Sequence, residues 1–278
     1  MNYRHGYHAG NFADLAKHAA LLVLLRLLRD GDKPLRVVDT HAGAGAYDLS
    51  DADFARSKEA EAGIKHLLGQ NVPESLKPLA DYVRAKNAAE GFHARVGFYP
   101  GSPLLTLDHL RAEDDYIGCE LRPDDYAILR EVVEPRGAAI QTDGYAIAAE
   151  VAGDLNDAGL LYLIDPPFER PGDYAAIVTT LTGVLDVRPD ARALIWLPIK
   201  DLETLDAFLR HLERDLEGAD IVSAEVRLRP LWNPMKMNGC ALVAVNAPEG
   251  FAQTLEAIAR DVVAVFGEAG GEARVRTL

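Results

Sequence analysis

Long hydrophobic runs are missing from this 278-residue chain: no stretch of about 18 apolar residues occurs that would suit a membrane span. The nearest approach is "AALLVLLRLL", Ala19 to Leu28, but Asp14 precedes it, Arg26 interrupts it and no small-residue cleavage site follows. It reads as an amphipathic helix rather than a secretory leader. Cysteine is scarce too, with only Cys119 and Cys240, each inside an apolar strand-like run. Such thiols exclude a disulfide framework and suit a reducing compartment, so a cytoplasmic protein is expected. Positive charge is in deficit: 29 Lys and Arg stand against 43 Asp and Glu, a formal net charge of −14. That excludes a wholesale coat of nucleic acid and leaves room only for a local basic patch. Internal repeats and low-complexity segments are lacking, and a monomer is expected.

What is present is the ordinary mix of a globular protein, 49% hydrophobic and 26% charged, enough to bury one large α/β core or two modest ones. From Leu35 onward strand-like and helix-like segments alternate. "LRVVDTHAGAG" is a buried strand entering a glycine-rich turn. "YIGCELRPDDYAILREVV" is a strand, an acid, and a helix from Pro123 with Asp124 and Asp125 in its first turn. "AAIQTDGYAIAAEVA" and "LLYLIDPPF" repeat the form, and "ARALIWLPI" precedes a helix from about Asp201 to Leu216. "IVSAEVRLRP" and "CALVAVNAP" follow with only a loop between them, which predicts an antiparallel pair at a sheet edge. A helix over about Gly250 to Phe266 is expected to close the chain. The pattern predicts a mostly parallel sheet covered on both faces. By analogy, the terminal antiparallel hairpin is the shape of the class I S-adenosylmethionine-dependent, Rossmann-like methyltransferase sheet. About seventy residues after the glycine turn break the rhythm. Their polar amphipathic helices suggest an inserted helical subdomain over residues 51–91, carried on a main domain of residues 1–50 and 92–278.

In an open α/β sheet, ligands bind outside the carboxyl ends of the strands. Here successive strand ends carry Asp39, Glu120, Asp143 and Asp165. Acids gathered on one edge repel unless donors or positive charge meet them, which a nucleoside with a sulfonium centre supplies. Each acid is equally able to cap the helix that follows it. In the turn "DTHAGAGAYD", Gly43 and Gly45 permit a tight bend, but His41 stands where a methyltransferase turn has its first glycine, and the dinucleotide pattern is not met.

"DPPF" ends the fourth strand of this series, which lies beside the first strand in such a sheet. Asp-Pro-Pro-aromatic at that place is the amino-methyltransferase signature, and chemistry accounts for its composition. An exocyclic adenine nitrogen is a poor nucleophile because its lone pair is delocalised into the ring. Asp165 and the Pro166 carbonyl can accept its two N–H bonds, with Pro166 and Pro167 holding the carbonyl rigid. Phe168 can stack on the extruded base, and Asp165 can take the released proton.

The segment "YRHGYHAGNFADLAKH" gathers Tyr3, Arg4, His5, Tyr7, His8, Lys17 and His18. It is open to three readings: a metal site on His5 and His8, a solvated basic leader, or an arm over residues 1–18 that stacks bases and closes over a cofactor with Lys17 or His18. Further candidates for a basic patch are Arg56, Lys58, Lys65, Arg84 and Lys86 in the insertion, and Arg227, Arg229 and Lys236 near the terminal hairpin.

The set "YRHGYHAGNFADLAKH", "DTHAGAGAYDL", "FYPGSPLL", "CELRPDDY", "TDGY" and "LIDPPFE" resembles the bacterial 23S ribosomal RNA (adenine 2030) N6-methyltransferase family, from Tyr3 to about Pro248. The resemblance implies a class I fold with a small helical insertion, S-adenosyl-L-methionine as cofactor, S-adenosyl-L-homocysteine as product, no metal, and 23S ribosomal RNA as partner. It implies cofactor contacts from His18, His41, Ser102, Glu120, Asp143, Gly144 and Asp165, to which the reading of the arm adds Lys17 and that of the glycine turn adds Gly43. Asp165 would be the proton acceptor within a catalytic set completed by Pro166, Pro167 and Phe168. Tyr3 would touch the RNA, with Arg4 and His5 beside it as expected further contacts. The family more often has tyrosine at the position of Phe168, which keeps the stacking face and lacks the hydroxyl. Competing functions are adenine methylation in DNA, protein glutamine methylation, and non-catalytic binding of RNA or cofactor on the same fold. The lack of a separate target-recognition domain, the aspartate that opens the motif, and the intact Asp-Pro-Pro-Phe set count against them in turn.

Overall fold

The computed structural model describes residues 5–31, 33–51, 57–153, 157–170, 172–232 and 237–278. The first helix, α1 (Phe12–Arg29), is capped by Asn11, whose side chain accepts from the N–H groups of Ala13 and Asp14. Such a cap contributes about 1 kcal/mol. α1 leads into β1 (Leu35–Asp39) and the glycine turn, where Gly43 and Gly45 have φ of 62° and 80°. Two three-residue strands, β2 (Ala46–Asp48) and β3 (Phe98–Pro100), pair antiparallel and flank the region that the sequence pattern marks as helical. Between them lie a π turn (Glu61–Lys65), α2 (His66–Leu68) and α3 (Lys77–Ala89). Ile64, Leu67, Leu76, Leu79 and Val83 are buried in the same core as α1.

Beyond β3 come α4 (Ser102–His109), β4 (Asp115–Cys119), α5 (Pro123–Val133), β5 (Ala138–Ile140), α6 (Gly144–Gly153), β6 (Gly159–Ile164), α7 (Asp173–Val187) and β7 (Arg192–Ile199). α8 (Leu202–Asp215), β8 (Ile221–Arg227), β9 (Gly239–Val245), α9 (Phe251–Phe266) and β10 (Glu272–Thr277) complete the chain. The main sheet has eight strands in the order β5-β4-β1-β6-β7-β9-β8-β10. The first five are mutually parallel, and the rest pair antiparallel. Side chains along β6 alternate between two cores: Leu161 and Leu163 face the one containing α1 and α9, while Leu160, Tyr162 and Ile164 face the one containing α7 and α8. This is the class I methyltransferase sheet.

Three details depart from the sequence pattern. The β8–β9 pair is antiparallel, but β9 inserts between β7 and β8, and the edge belongs to β10, which follows what was expected to be the closing helix. The β2–β3 ribbon was not expected; strands this short carry no readable periodicity. Residues 1–18 also divide: from Phe12 they are part of α1, so Lys17 and His18 sit in a core helix, at 9% and 0% exposure. Ahead of it, His5–Tyr7 forms a 3₁₀ turn.

Candidate active site

The carboxyl ends of β1, β4, β5 and β6 open onto one cleft, whose walls include Lys17, His18, His41, Gly43, Ser102, Glu120, Asp143, Gly144 and Asp165. All nine expected cofactor contacts therefore line a single cavity. Each strand-end acid already meets donors from its own chain. Asp39 is 1% exposed and accepts from Ser102 Oγ at 2.7 Å and Tyr116 Oη at 3.3 Å. Burial pushes its carboxyl up to about 6. Glu120 accepts from the N–H groups of Gly43 at 3.1 Å and Arg122 at 2.7 Å, and burial raises its pKa as well. Asp143 accepts from the Tyr145 N–H at 3.1 Å. Glu120 and Asp143 line the cleft, whereas Asp39 lies beneath it.

Gly144 begins α6 against the β1 turn so closely that a Cβ there would lie 2.2 Å from the Thr40 carbonyl oxygen. The absence of a side chain lets Asp143 and the cleft floor approach the strand end. The His41 ring bonds through Nδ1 to Thr40 Oγ1 at 2.9 Å and meets Tyr145 edge-on, with centroids 4.7 Å apart. Burial lowers its pKa to about 4, so the ring is neutral at pH 7. His18 stacks on Tyr99 and bonds its hydroxyl at 2.8 Å.

At the end of β6, Lys17 Nζ forms an ion pair with Asp165 Oδ2 and a second one with Asp14 Oδ1 at 2.9 Å. Burial opposes the ammonium, but the two carboxylates outweigh it and hold the Lys17 pKa well above its usual range. Asp14 is 3% exposed, and its Oδ2 accepts from the Gly10 N–H at 2.9 Å. Pro166 is buried, and Phe168 adopts φ of 50°, the left-handed region that costs a residue with a side chain about 1–2 kcal/mol. Its ring packs against Tyr174 and Trp196 at 4.9 and 5.9 Å between centroids.

Phe168 belongs to a second cavity, walled also by His8, Asn11, Asp14, Glu59, Pro166, Trp196, Lys200 and Met237. The two cavities share Lys17, Asp165 and Pro167. His8 donates into this region's carboxylate, Glu59, at 2.9 Å, and that bond raises the histidine pKa. Tyr3, Arg4 and Lys236, the His5 side chain, and Arg56 lie outside the described residues. Most of the other cations considered for a basic patch are engaged within the chain: Lys65 with Glu61, Arg84 with Asp81, Lys86 with Asp108, Arg227 with Glu225 and Glu272, and Arg229 with Glu268. They do not stand free as one RNA-facing patch. Among the described residues no group of three or more His, Cys, Asp or Glu side chains is arranged to hold a metal, and no helix is long and apolar enough to cross a membrane.

Sequence reasoning missed Asp14, Tyr145 and Trp196. Asp14 figured only as the charge ahead of an apolar run; the available signal was its i,i+3 spacing to Lys17. Tyr145 Oη is buried in the cleft wall without a hydrogen-bond partner among the described residues. A ligand with polar atoms satisfies such a hydroxyl. The two strand-end carboxylates, the glycine turn and this hydroxyl together fit a nucleoside carrying ribose hydroxyls and an amino group. Sheet order and cleft define an S-adenosylmethionine-dependent methyltransferase of class I.

The comparisons narrow the class. The family described as "RsmJ: Ribosomal RNA large subunit methyltransferase D, RlmJ" matches residues 32–278, and the chain belongs to that family. It is 30% identical over 254 residues to Ribosomal RNA large subunit methyltransferase J of Escherichia coli (strain K12), covering 89% of this chain and 88% of that protein. The protein of the same name from Haemophilus influenzae is 29% identical over 253 residues, covering 89% and 88%. A crystal structure of protein LPL1258 from Legionella pneumophila superposes with a TM-score of 0.85 at 26% identity, covering 97% of this chain and 98% of that one.

Proposed function

We propose that this enzyme methylates the N6 amino group of one adenine in 23S ribosomal RNA, the adenine at position 2030. The observation that carries it is the meeting of the two cavities at Lys17, Asp165 and Pro167, with Asp-Pro-Pro-Phe between them. The names of the Escherichia coli and Haemophilus influenzae relatives support large-subunit ribosomal RNA as the substrate. The resemblance in sequence motifs supports the position.

When bound, S-adenosylmethionine supplies a methyl group made electrophilic by its sulfonium centre. Glu120 and Asp143, at the ends of β4 and β5, are the acceptors for ribose hydroxyls and an adenine amino group; Gly43 and Gly144 allow close approach. In the second cavity Phe168 and Trp196, tilted 56° to each other, offer aromatic faces on which a base can stack, and Lys200 at its rim suits a phosphate. Asp165 Oδ2 is held by Lys17, and among the described residues no donor meets Oδ1. Oδ1 and the Pro166 carbonyl then accept the two N–H bonds of the target amino group, holding it ready for attack in a site that needs little reorganisation. The nitrogen gains a methyl group and loses one proton, and Asp165 holds that proton.

Asp165→Asn retains the shape and loses the anionic acceptor. The expected outcome, measured at saturating S-adenosylmethionine, is a fall in methyl transfer to deproteinised 23S ribosomal RNA of about 10²-fold or more. Mass-spectrometric mapping of RNA treated with the wild-type protein should find N6-methyladenine at position 2030. Methylation of duplex DNA alone, or of another nucleotide, would overturn the assignment.

A further inference from the structure

A methyl donor in the first cavity and an acceptor in the second can react only where the cavities share walls, at Lys17, Asp165 and Pro167. The methyl donor is a cation, and a buried ammonium stands at that junction. Two positive charges brought together with little water between them repel strongly. Asp165 neutralises Lys17 only once. Asp14, on the far side of Lys17 at 2.9 Å, makes the group of three net negative.

Asp14 is held there by structure and not by chance contact. It is 3% exposed, its other oxygen is fixed by the Gly10 N–H at 2.9 Å, and the Asn11 cap sets the first turn of α1 around it. Four titratable groups near the junction do not replace it. His41 is neutral, with a pKa lowered to about 4 by burial, and the Cys240 thiol is pushed up to about 12 by burial. Tyr145 is shifted upward by burial and stays protonated. Asp39 spends its carboxylate on Ser102 and Tyr116.

We propose that Asp14 is the counter-charge that makes Lys17 tolerable beside a cationic cofactor, so that the Asp14–Lys17–Asp165 triad selects the charged methyl donor over its neutral thioether product. The triad acts on cofactor choice, through Lys17, before any nucleic acid is bound. The inference rests on the cofactor class and is independent of which RNA is the substrate.

Calorimetric titration of the full chain with S-adenosylmethionine and S-adenosylhomocysteine, without RNA, tests it. Asp14→Asn keeps an oxygen for the Gly10 N–H but removes the charge. Its affinity for S-adenosylmethionine should fall about five- to tenfold while that for S-adenosylhomocysteine changes less than about twofold. Asp14→Glu should stay near the wild-type ratio. The double variant Asp14→Asn/Lys17→Met removes both members of a buried pair, which is better tolerated than removing one. It should return the ratio to within about twofold of wild type, and it serves as the deciding arm if Asp14→Asn does not fold. Equal loss of both ligands, no loss of either, or a double variant with a depressed ratio would each overturn the proposal.

Discussion

Asp39 and His41, two residues apart at the end of β1, are displaced from their ordinary titration ranges in opposite directions by the same cause, burial. Asp39 titrates at about 6 when folded, above the unfolded value near 4. Its contribution to stability is complete below about pH 4 and is lost as pH rises through about 6. His41 titrates at about 4 when folded, below the unfolded value near 6.5. Its contribution is complete above about pH 6.5 and is lost as pH falls through about 4. The two slopes oppose each other across nearly the same window. His41→Asn should expose the Asp39 slope: relative to wild type, the variant should lose up to about 3 kcal/mol between pH 4 and pH 6.5. Urea melts at several pH values measure it, and parallel wild-type and variant curves would refute it.

At the scale of elements, the longer strands buried on both faces were the clearest. β1, β6 and β7 are covered on both faces, so "LRVVD", "GLLYLI" and "RALIWLPI" stand out as apolar runs, and Asp39 at the end of β1 and Asp165 after β6 mark the sheet edge on which the cleft lies. β10, "EARVRT", is an edge strand whose outward Arg and Glu side chains mask it. Asp14 and Tyr145 escaped notice because their significance lies in what the fold brings to them. β10 matters energetically. It pairs along β8, and Arg276 reaches Glu225, whose side chain is fully buried, at 3.1 Å. A chain ending at Gly270 leaves that carboxylate short of a partner and bares the β8 edge. The loss should be about 2–4 kcal/mol, with visible self-association, as read by thermal melts and light scattering.

The whole molecule carries a net charge of −14, and among the described residues many cations are spent on internal pairs. An RNA partner therefore gains little from general electrostatic attraction and must be held by shape, stacking and a few phosphate contacts. Binding of single-stranded target RNA should weaken only shallowly with salt. On a log–log plot the slope should have a magnitude below about 3, corresponding to about four phosphates or fewer. Filter binding over about 50 to 200 mM salt gives this slope, and a steep one would refute it.

The shared wall of the two cavities also sets the terms for a bisubstrate inhibitor. A single compound filling both must thread past Lys17, Asp165 and Pro167, so its linker has to be short and slim. An amine at the linker's centre, protonated in place of the sulfonium, would meet the same charge triad. A neutral linker of equal length would forgo that attraction. Linker charge, rather than added surface at either end, is the property such a compound has most to gain from.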